Sequence, residues 1–283
     1  MQQFNQLTDR VWYQTPVSET DRPILGLIVG AKRSLMIDAG NSSQHAALFL
    51  EEVERHGLKK PDLLALTHWH WDHIFGLKEM NLPAMATKRT VSQIEQMLDY
   101  DWTDEALEAR IEQGIEIPFC ADAIKLEFGP TRDIAVQLPD IQFEGELVVD
   151  LGGVHCILRE VENDHSPGSL LVYIPEERVL FLGDAMYADI FSAKWNYTVE
   201  RMTLLLDAIA EYDAAYYVWS HGEAMPREVF EQEVAMLRQA MDVTERAGGK
   251  ISEMRRLYKE TVDRVLTTDE EETLVFFANG MKS

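Results

Sequence analysis

The sequence predicts an α/β protein, and three observations carry that prediction. Short apolar runs bounded by Pro, Gly and Asp recur along the chain and read as strands. Segments between and after them carry apolar residues at helical spacing. Several of the apolar runs are followed within two residues by His, Asp or Asn, and open-sheet folds place their chemistry at strand ends in this way. A chain of 283 residues that is 46% hydrophobic and 27% charged can build a sizeable core.

In chain order, Val11-Trp12-Tyr13, Ile24 to Val29 and Ser34 to Ile37 read as strands separated by Pro and Gly. The third ends on Asp38-Ala39-Gly40. An acid before a Gly turn is either a turn former or a carboxylate that holds a ligand loop. From Ser43 to His56 the spacing of Ala46, Leu48, Phe49 and Val53 predicts an amphipathic helix, with His45 and His56 on its exposed side. Pro61 leads into Leu63-Leu64-Ala65-Leu66, a short buried strand.

That strand runs into Thr67-His68-Trp69-His70-Trp71-Asp72-His73, and Ile74-Phe75-Gly76-Leu77 then starts a helix. In an extended turn His68 and His70 point the same way, because side chains alternate with period 2. Asp72 and His73 come where the chain bends and can face a neighbouring point. A lone histidine beside an apolar run is ordinarily structural. Three of the chain's eight histidines plus an Asp within six residues are hard to bury without unpaired polar atoms. They are also ligands that zinc and iron favour. The layout suits two ions roughly 3.5–4 Å apart, as in two-metal hydrolases.

Met85-Ala86-Thr87 reads as a strand, and residues 89–113 as one or two helices around Trp102, which either cap the site or merely connect. The cap is the preferred reading. Residues 125–162 read as β, with Ile134-Ala135-Val136, Leu147-Val148-Val149 and Val154 to Val161 as strands and Gly152-Gly153 as a turn. His155 falls in mid-strand and reads as structural. Three more polar points each follow an apolar run: Asp164-His165-Ser166 after 154–161, Gly183-Asp184 after Arg178 to Leu182, and Ser220-His221-Gly222 after Ala215 to Trp219. Singly each is a turn; together they repeat one pattern of a strand followed by a potential ligand.

These residues, from about 24 to 225, resemble the metallo-β-lactamase superfamily. The H-x-H-x-D-H turn is His68, His70, Asp72 and His73, and the later ligands resemble His165, Asp184 and His221. The early D-x-G acid is Asp38. The resemblance implies an αββα sandwich of two mixed β-sheets with helices on the outer faces. It implies one metal held by His68, His70 and His165, a second by Asp72, His73 and His221, with Asp184 between them and Asp38 behind. The cofactors would be two divalent ions, zinc first, with manganese or iron as alternatives. Asp164 stands where Gly is usual, Ser166 where Thr is usual, and Phe75-Gly76 where Gly-Gly is frequent. Trp69 and Trp71 are bulky at the variable positions of the turn. No ligand is lost.

The chemistry so implied is hydrolysis by a water acidified between two cations, with Asp72 orienting the nucleophile and passing on its proton. Tyr187, three residues after Asp184, resembles the tyrosine that metallo-β-lactamase-fold lactonases point at the substrate carbonyl. The alternative is that it only packs nearby. The leading expectation is a small-molecule ester, lactone or thioester. The alternatives are a phosphodiester, or oxidation on a single iron as in persulfide dioxygenases.

A net charge of −23 argues against nucleic acid or an anionic membrane as partner. Cys120 and Cys156 are too few for a disulfide framework and read as packing residues. With a polar N-terminus lacking an apolar stretch, the expected compartment is a reducing cytoplasm. Residues 1–225 are expected to form the sandwich and 226–283 a helical extension packed on it. That extension carries Phe230, Val234, Leu237 and Met241, then Ile251, Met254, Leu257 and Tyr258, then a capping box at Thr268-Asp269-Glu270-Glu271. Padding is its expected role, with a homodimer surface or a cleft cover as the other uses.

Overall fold

A strand such as Leu170–Ile174, with the sequence LLVYI, has no polar face. A sheet built from such strands must be covered on both sides. The computed structural model, which describes residues 2–281, meets that demand with four layers. The first sheet holds β1 (Phe4–Gln6), β2 (Val11–Gln14), β3 (Leu25–Val29), β4 (Ser34–Ile37), β5 (Leu63–Ala65), β6 (Ala84–Thr87) and β7 (Ile141–Phe143), in that order. The pairs from β1 to β4 are antiparallel and those from β4 to β7 parallel. The second holds β8 (Glu146–Asp150), β9 (His155–Glu160), β10 (Leu170–Ile174), β11 (Val179–Gly183), β12 (Tyr216–Trp219) and β13 (Ala224–Pro226), with β13 and β8 at its edges. Only β11 and β12 pair parallel within it.

Alternation along each strand sorts side chains into three cores. Leu35 and Ile37 of β4 meet Leu158, Val172 and Phe181 between the sheets. Met36, one residue over, points to the other face, with Leu25, Leu27 and Leu64. That face is covered by α1 (Ser43–Arg55), α2 (Trp71–Ile74), α3 (Leu77–Met80), α4 (Lys88–Met97), α5 (Asp104–Glu112) and α6 (Pro118–Phe128). On the second sheet Leu171, Tyr173, Leu180 and Leu182 point outward under α7 (Val199–Ala210), α8 (Arg227–Ala247), α9 (Ile251–Val262) and α10 (Thr268–Gly280). Each large side chain buried in these layers contributes about 1.5–3 kcal/mol. The expected αββα sandwich is therefore the observed fold. Helices α8 to α10 share the outer core of the second sheet: Tyr217 stacks on Phe230 at 3.8 Å, and Leu274 and Phe277 are fully buried. No helix among the described residues is long and apolar enough to cross a membrane.

Several expectations need correction. Ile134-Ala135-Val136 is not a strand; Ile134 and Val136 pack against the first core without a strand partner. Residues 125–128 are the last turn of α6, which Pro118 opens and Gly129 ends. His45 is not exposed but fully buried, its Nδ1 facing the Asn41 N–H at 3.4 Å and its Nε2 facing Gln2 Nε2 at 3.2 Å. The N-terminal segment covers that side of α1. His155 is not mid-strand: it starts β9, stands about half exposed, and meets Glu176 at 2.6 Å. The capping box is one residue earlier than expected, with Thr267 as N-cap and Glu270 reaching back to it. Cys120 and Cys156 are buried free thiols, as expected.

Candidate metal centre

The site is assembled at the ends of strands from both sheets. β5 ends at Ala65, and the extended residues after it bring His68 and His70 onto one side, their rings 4.5 Å apart. The chain then turns into α2, which carries Asp72 and His73 in a single turn. β11 delivers Asp184, the loop after β9 delivers His165, and the loop after β12 delivers His221. Close approach of the two halves depends on Gly183. Its φ is +53°, and a Cβ there would stand 2.8 Å from Thr67 Cβ, so a side chain would push Asp184 away from the histidine turn.

The side chains fall into two adjoining groups. His68, His70 and His165 form one; Asp72, His73, Asp184 and His221 form the other, with ligand atoms in each group within 4.8 Å of one another. Asp184 Oδ2 faces both: it lies 3.8 Å from His68 Nε2, 3.5 Å from His165 Nε2, 3.5 Å from His73 Nε2 and 3.4 Å from His221 Nε2. Asp72 Oδ2 lies 2.9 Å from His73 Nε2 and 3.2 Å from His221 Nε2.

What stands behind each ring fixes which nitrogen faces inward. His73 Nδ1 donates to Asp38 Oδ2 at 2.8 Å, His165 Nδ1 to the Ala188 carbonyl at 2.9 Å, and His68 Nδ1 meets Thr67 Oγ1 at 3.2 Å. Asp38, with φ +60°, also accepts from the Thr67 backbone N–H and hydroxyl, so one carboxylate orders the whole turn. Each of these rings, when neutral, is left with an Nε2 lone pair turned into the site.

Those inward atoms meet little but one another. His68 Nε2, His70 Nε2, His73 Nε2, His165 Nε2, Asp72 Oδ2 and Asp184 Oδ1 are buried without a hydrogen bond. Where the rings are neutral, acceptor faces acceptor, which is costly in a buried site unless a cation lies between them. The donor set of imidazole and carboxylate suits zinc, iron or manganese, so these residues fit divalent metal ions.

Electrostatics separate the two groups. Burial pushes His68 and His70 well below the usual histidine value, and the neighbouring imidazoles add to it. Burial also opposes charge on His73 and His221, yet the carboxylates around them hold both well above it. Asp72 and Asp184 are pulled below the carboxylate range despite burial, chiefly by His73 and His221.

Two cavities open beside His70 and His165. One, of about 390 Å³, is walled by Trp69, Trp71, Gln93, Tyr100, Trp102 and Arg201, so residues 89–113 do form a wall of the cleft. The other, of about 240 Å³, is lined mainly by apolar groups including Phe119, Ile190, Trp195, Tyr197 and Phe276 of α10. Tyr187 lines this second cavity, its ring 6.1 Å from that of His165 and 6.0 Å from that of His221. Asp164 turns away from these side chains and accepts from the Thr198 N–H and hydroxyl at 2.8 Å each, tying the His165 loop to the start of α7.

Sequence reasoning missed two contributors. Phe276 gave no signal beyond helical spacing. Asp21, which faces His221, sits in a Thr20-Asp21-Arg22 turn with no motif around it.

A two-sheet αββα sandwich with paired His/Asp groups at its strand ends defines a class of protein built to hold metal ions. The family model for the metallo-beta-lactamase superfamily matches residues 25–221, and the chain belongs to that superfamily. Its members depend on metal ions and are mostly hydrolases. A metallo-beta-lactamase from Pontibacter korlensis superposes with a TM-score of 0.58 at 15% identity, covering 83% of this chain and 98% of that one. The stereoselective inverting sec-alkylsulfatase Pisa1 from Pseudomonas sp. superposes with a TM-score of 0.67 at 15% identity, covering 98% of this chain and 47% of that one. At such identities the likeness is one of fold. No curated protein matches the chain.

Proposed function

We propose that the protein is a dinuclear metal-dependent hydrolase acting on a small ester, lactone or thioester. The observation that carries this reading is the convergence of buried imidazole and carboxylate atoms from both groups around Asp184 Oδ2. His68, His70 and His165 would hold one ion, Asp72, His73 and His221 the other, and Asp184 both. Bound there, divalent ions would acidify a water and polarise the substrate oxygen.

The chain's own groups supply the rest. Asp72, whose Oδ2 faces His73 and His221, would accept the proton of an attacking water and return it to the leaving group. Burial, with Asp184 close by, pushes the Tyr187 hydroxyl up, so it stays protonated and serves as a donor to a substrate carbonyl. The apolar cavity suits an acyl or alkyl chain and keeps water from that side. The Trp69 side takes the other arm of the substrate.

A sulfate ester is the second reading. Two observations favour it: the likeness in fold to the sec-alkylsulfatase covers 98% of the chain, against 83% for the lactamase, and α10 supplies Phe276 to the apolar cavity.

The test is metal analysis of the purified protein, then turnover of a panel of lactones, thioesters, alkyl sulfates and phosphodiesters. Acyl turnover that depends on two ions supports the proposal. Alkyl sulfate turnover alone selects the second reading. A single iron with oxygen consumption, or phosphodiester turnover alone, overturns both.

A further inference from the structure

We propose that Asp21 is a positioning residue for His221, holding the ring so that Nε2 faces the second ligand group. The inference rests on the reading that Asp72, His73, Asp184 and His221 hold an ion. His221 is the most exposed of the seven. Like His68, His70, His165 and Asp184 it lies outside the helices and strands, but its side chain is 22% exposed where the others are nearly fully buried. Its Nε2 faces Asp72 and Asp184. Its Nδ1 faces Asp21 Oδ1 at 3.4 Å.

The turn that carries Asp21 is built to hold it there. Val17 and Arg22 exchange backbone hydrogen bonds of 2.9 Å, closing the turn around Asp21. Arg22 forks onto the buried Glu127 of α6 at 2.7 and 3.1 Å. Asn41 donates to the Thr20 carbonyl at 2.7 Å. Ile24 N–H donates to the carbonyl of Ser220, the residue before His221, at 2.6 Å, so the turn and the histidine loop are tied directly. Asp21 itself has φ +54°, a conformation that non-glycine residues keep only where their surroundings over-determine it.

A tighter form of this arrangement is present at His73, whose Nδ1 hydrogen-bonds Asp38 at 2.8 Å where Asp21 stands 3.4 Å from His221. Asp38, also left-handed at φ +60°, faces Nδ1 of that ring from behind. Two histidines of the second ligand group are thus each backed by a left-handed aspartate from the first sheet's loops. A carboxylate behind a ligand histidine fixes its tautomer and orientation, and losing one typically costs 10–100-fold in metal affinity.

The experiment uses the full chain, stripped with a chelator and titrated with zinc chloride against a competing chromophoric chelator. Asp21→Gly removes the carboxylate and suits the left-handed backbone, so the fold is retained; a thermal melt checks it. Asp21→Asn keeps an oxygen that can accept from Nδ1–H and also tolerates this backbone. The expected result is two ions on the wild type, one of them bound about 10–100-fold more weakly by Asp21→Gly. The other ion is unchanged, and Asp21→Asn restores affinity to within a few-fold of wild type. A Gly variant that binds both ions as tightly as wild type overturns the inference, as does an Asn variant as weak as the Gly variant. A wild type that never binds a second ion overturns the metal reading, and this inference falls with it.

Discussion

The two ligand groups are supported by different kinds of partner. His68, His70 and His165 include no carboxylate, are buried, and are backed where a partner is seen by a hydroxyl and a backbone carbonyl. Asp72, His73, Asp184 and His221 include two carboxylates and have two more behind them, Asp38 and Asp21. The first group is shaped by the path of the chain, the second by charge. Substitutions that remove charge behind the rings without altering the backbone should therefore act more on the second group than on the first.

The largest effect is expected where the distinction disappears. Asp184 faces both groups, so Asp184→Asn should weaken both ions and slow turnover at least about 100-fold. Metal-based charge stabilisation is worth several kcal/mol, at about 1.4 kcal/mol per tenfold in rate. Turnover at saturating zinc and ion content measure this. Asp38→Asn should sharpen the comparison, with the second group losing about 10–100-fold in affinity and the trio losing less in a competition titration, because Asp38 reaches His68 only through Thr67.

Thr67→Val probes the seam between the groups, because the hydroxyl meets Asp38 and also His68. It leaves buried polar atoms short of a partner and should cost about 1–3 kcal/mol in a denaturant melt. The smallest effect on metal binding is expected from Glu270, on α10 away from both groups. Arg264 beside it, with the capping bonds to Thr267, holds this carboxyl down at about 2 from an ordinary 4.5, against a smaller push from burial. A depressed value means that the stabilisation is complete above pH 4.5 and is lost as pH falls towards 2. Glu270→Gln should flatten that acid-induced loss and leave zinc affinity unaltered.

The parts that were legible in the sequence follow from local rules. The histidine turn stood out because period-2 alternation and a helix start act within six residues. Strands covered on both faces, such as Val179–Gly183, read as continuous apolar runs. His165, Asp184 and His221 each looked like an ordinary turn, and only the order of all of them, through the family resemblance, joined them to the early turn. Ile134-Ala135-Val136 misled because an apolar triplet packs on a core as well without a strand partner as with one. His45 misled because its helix face is closed by the N-terminal segment, a contact no periodicity encodes. Helix α7 was legible but unread: Met202, Leu205, Leu206 and Ile209 repeat at helical spacing. Asp21 was beyond reach, since its role depends on a loop 200 residues away in the chain.

Seven side chains from the two sheets form two adjoining groups, each proposed to hold one ion. Equilibrium dialysis of the full chain against zinc, with elemental analysis, tests that proposal most directly. Two zinc ions per chain in the wild type, falling to one in His221→Ala, is the predicted result. One ion or none in the wild type at saturating zinc would contradict it.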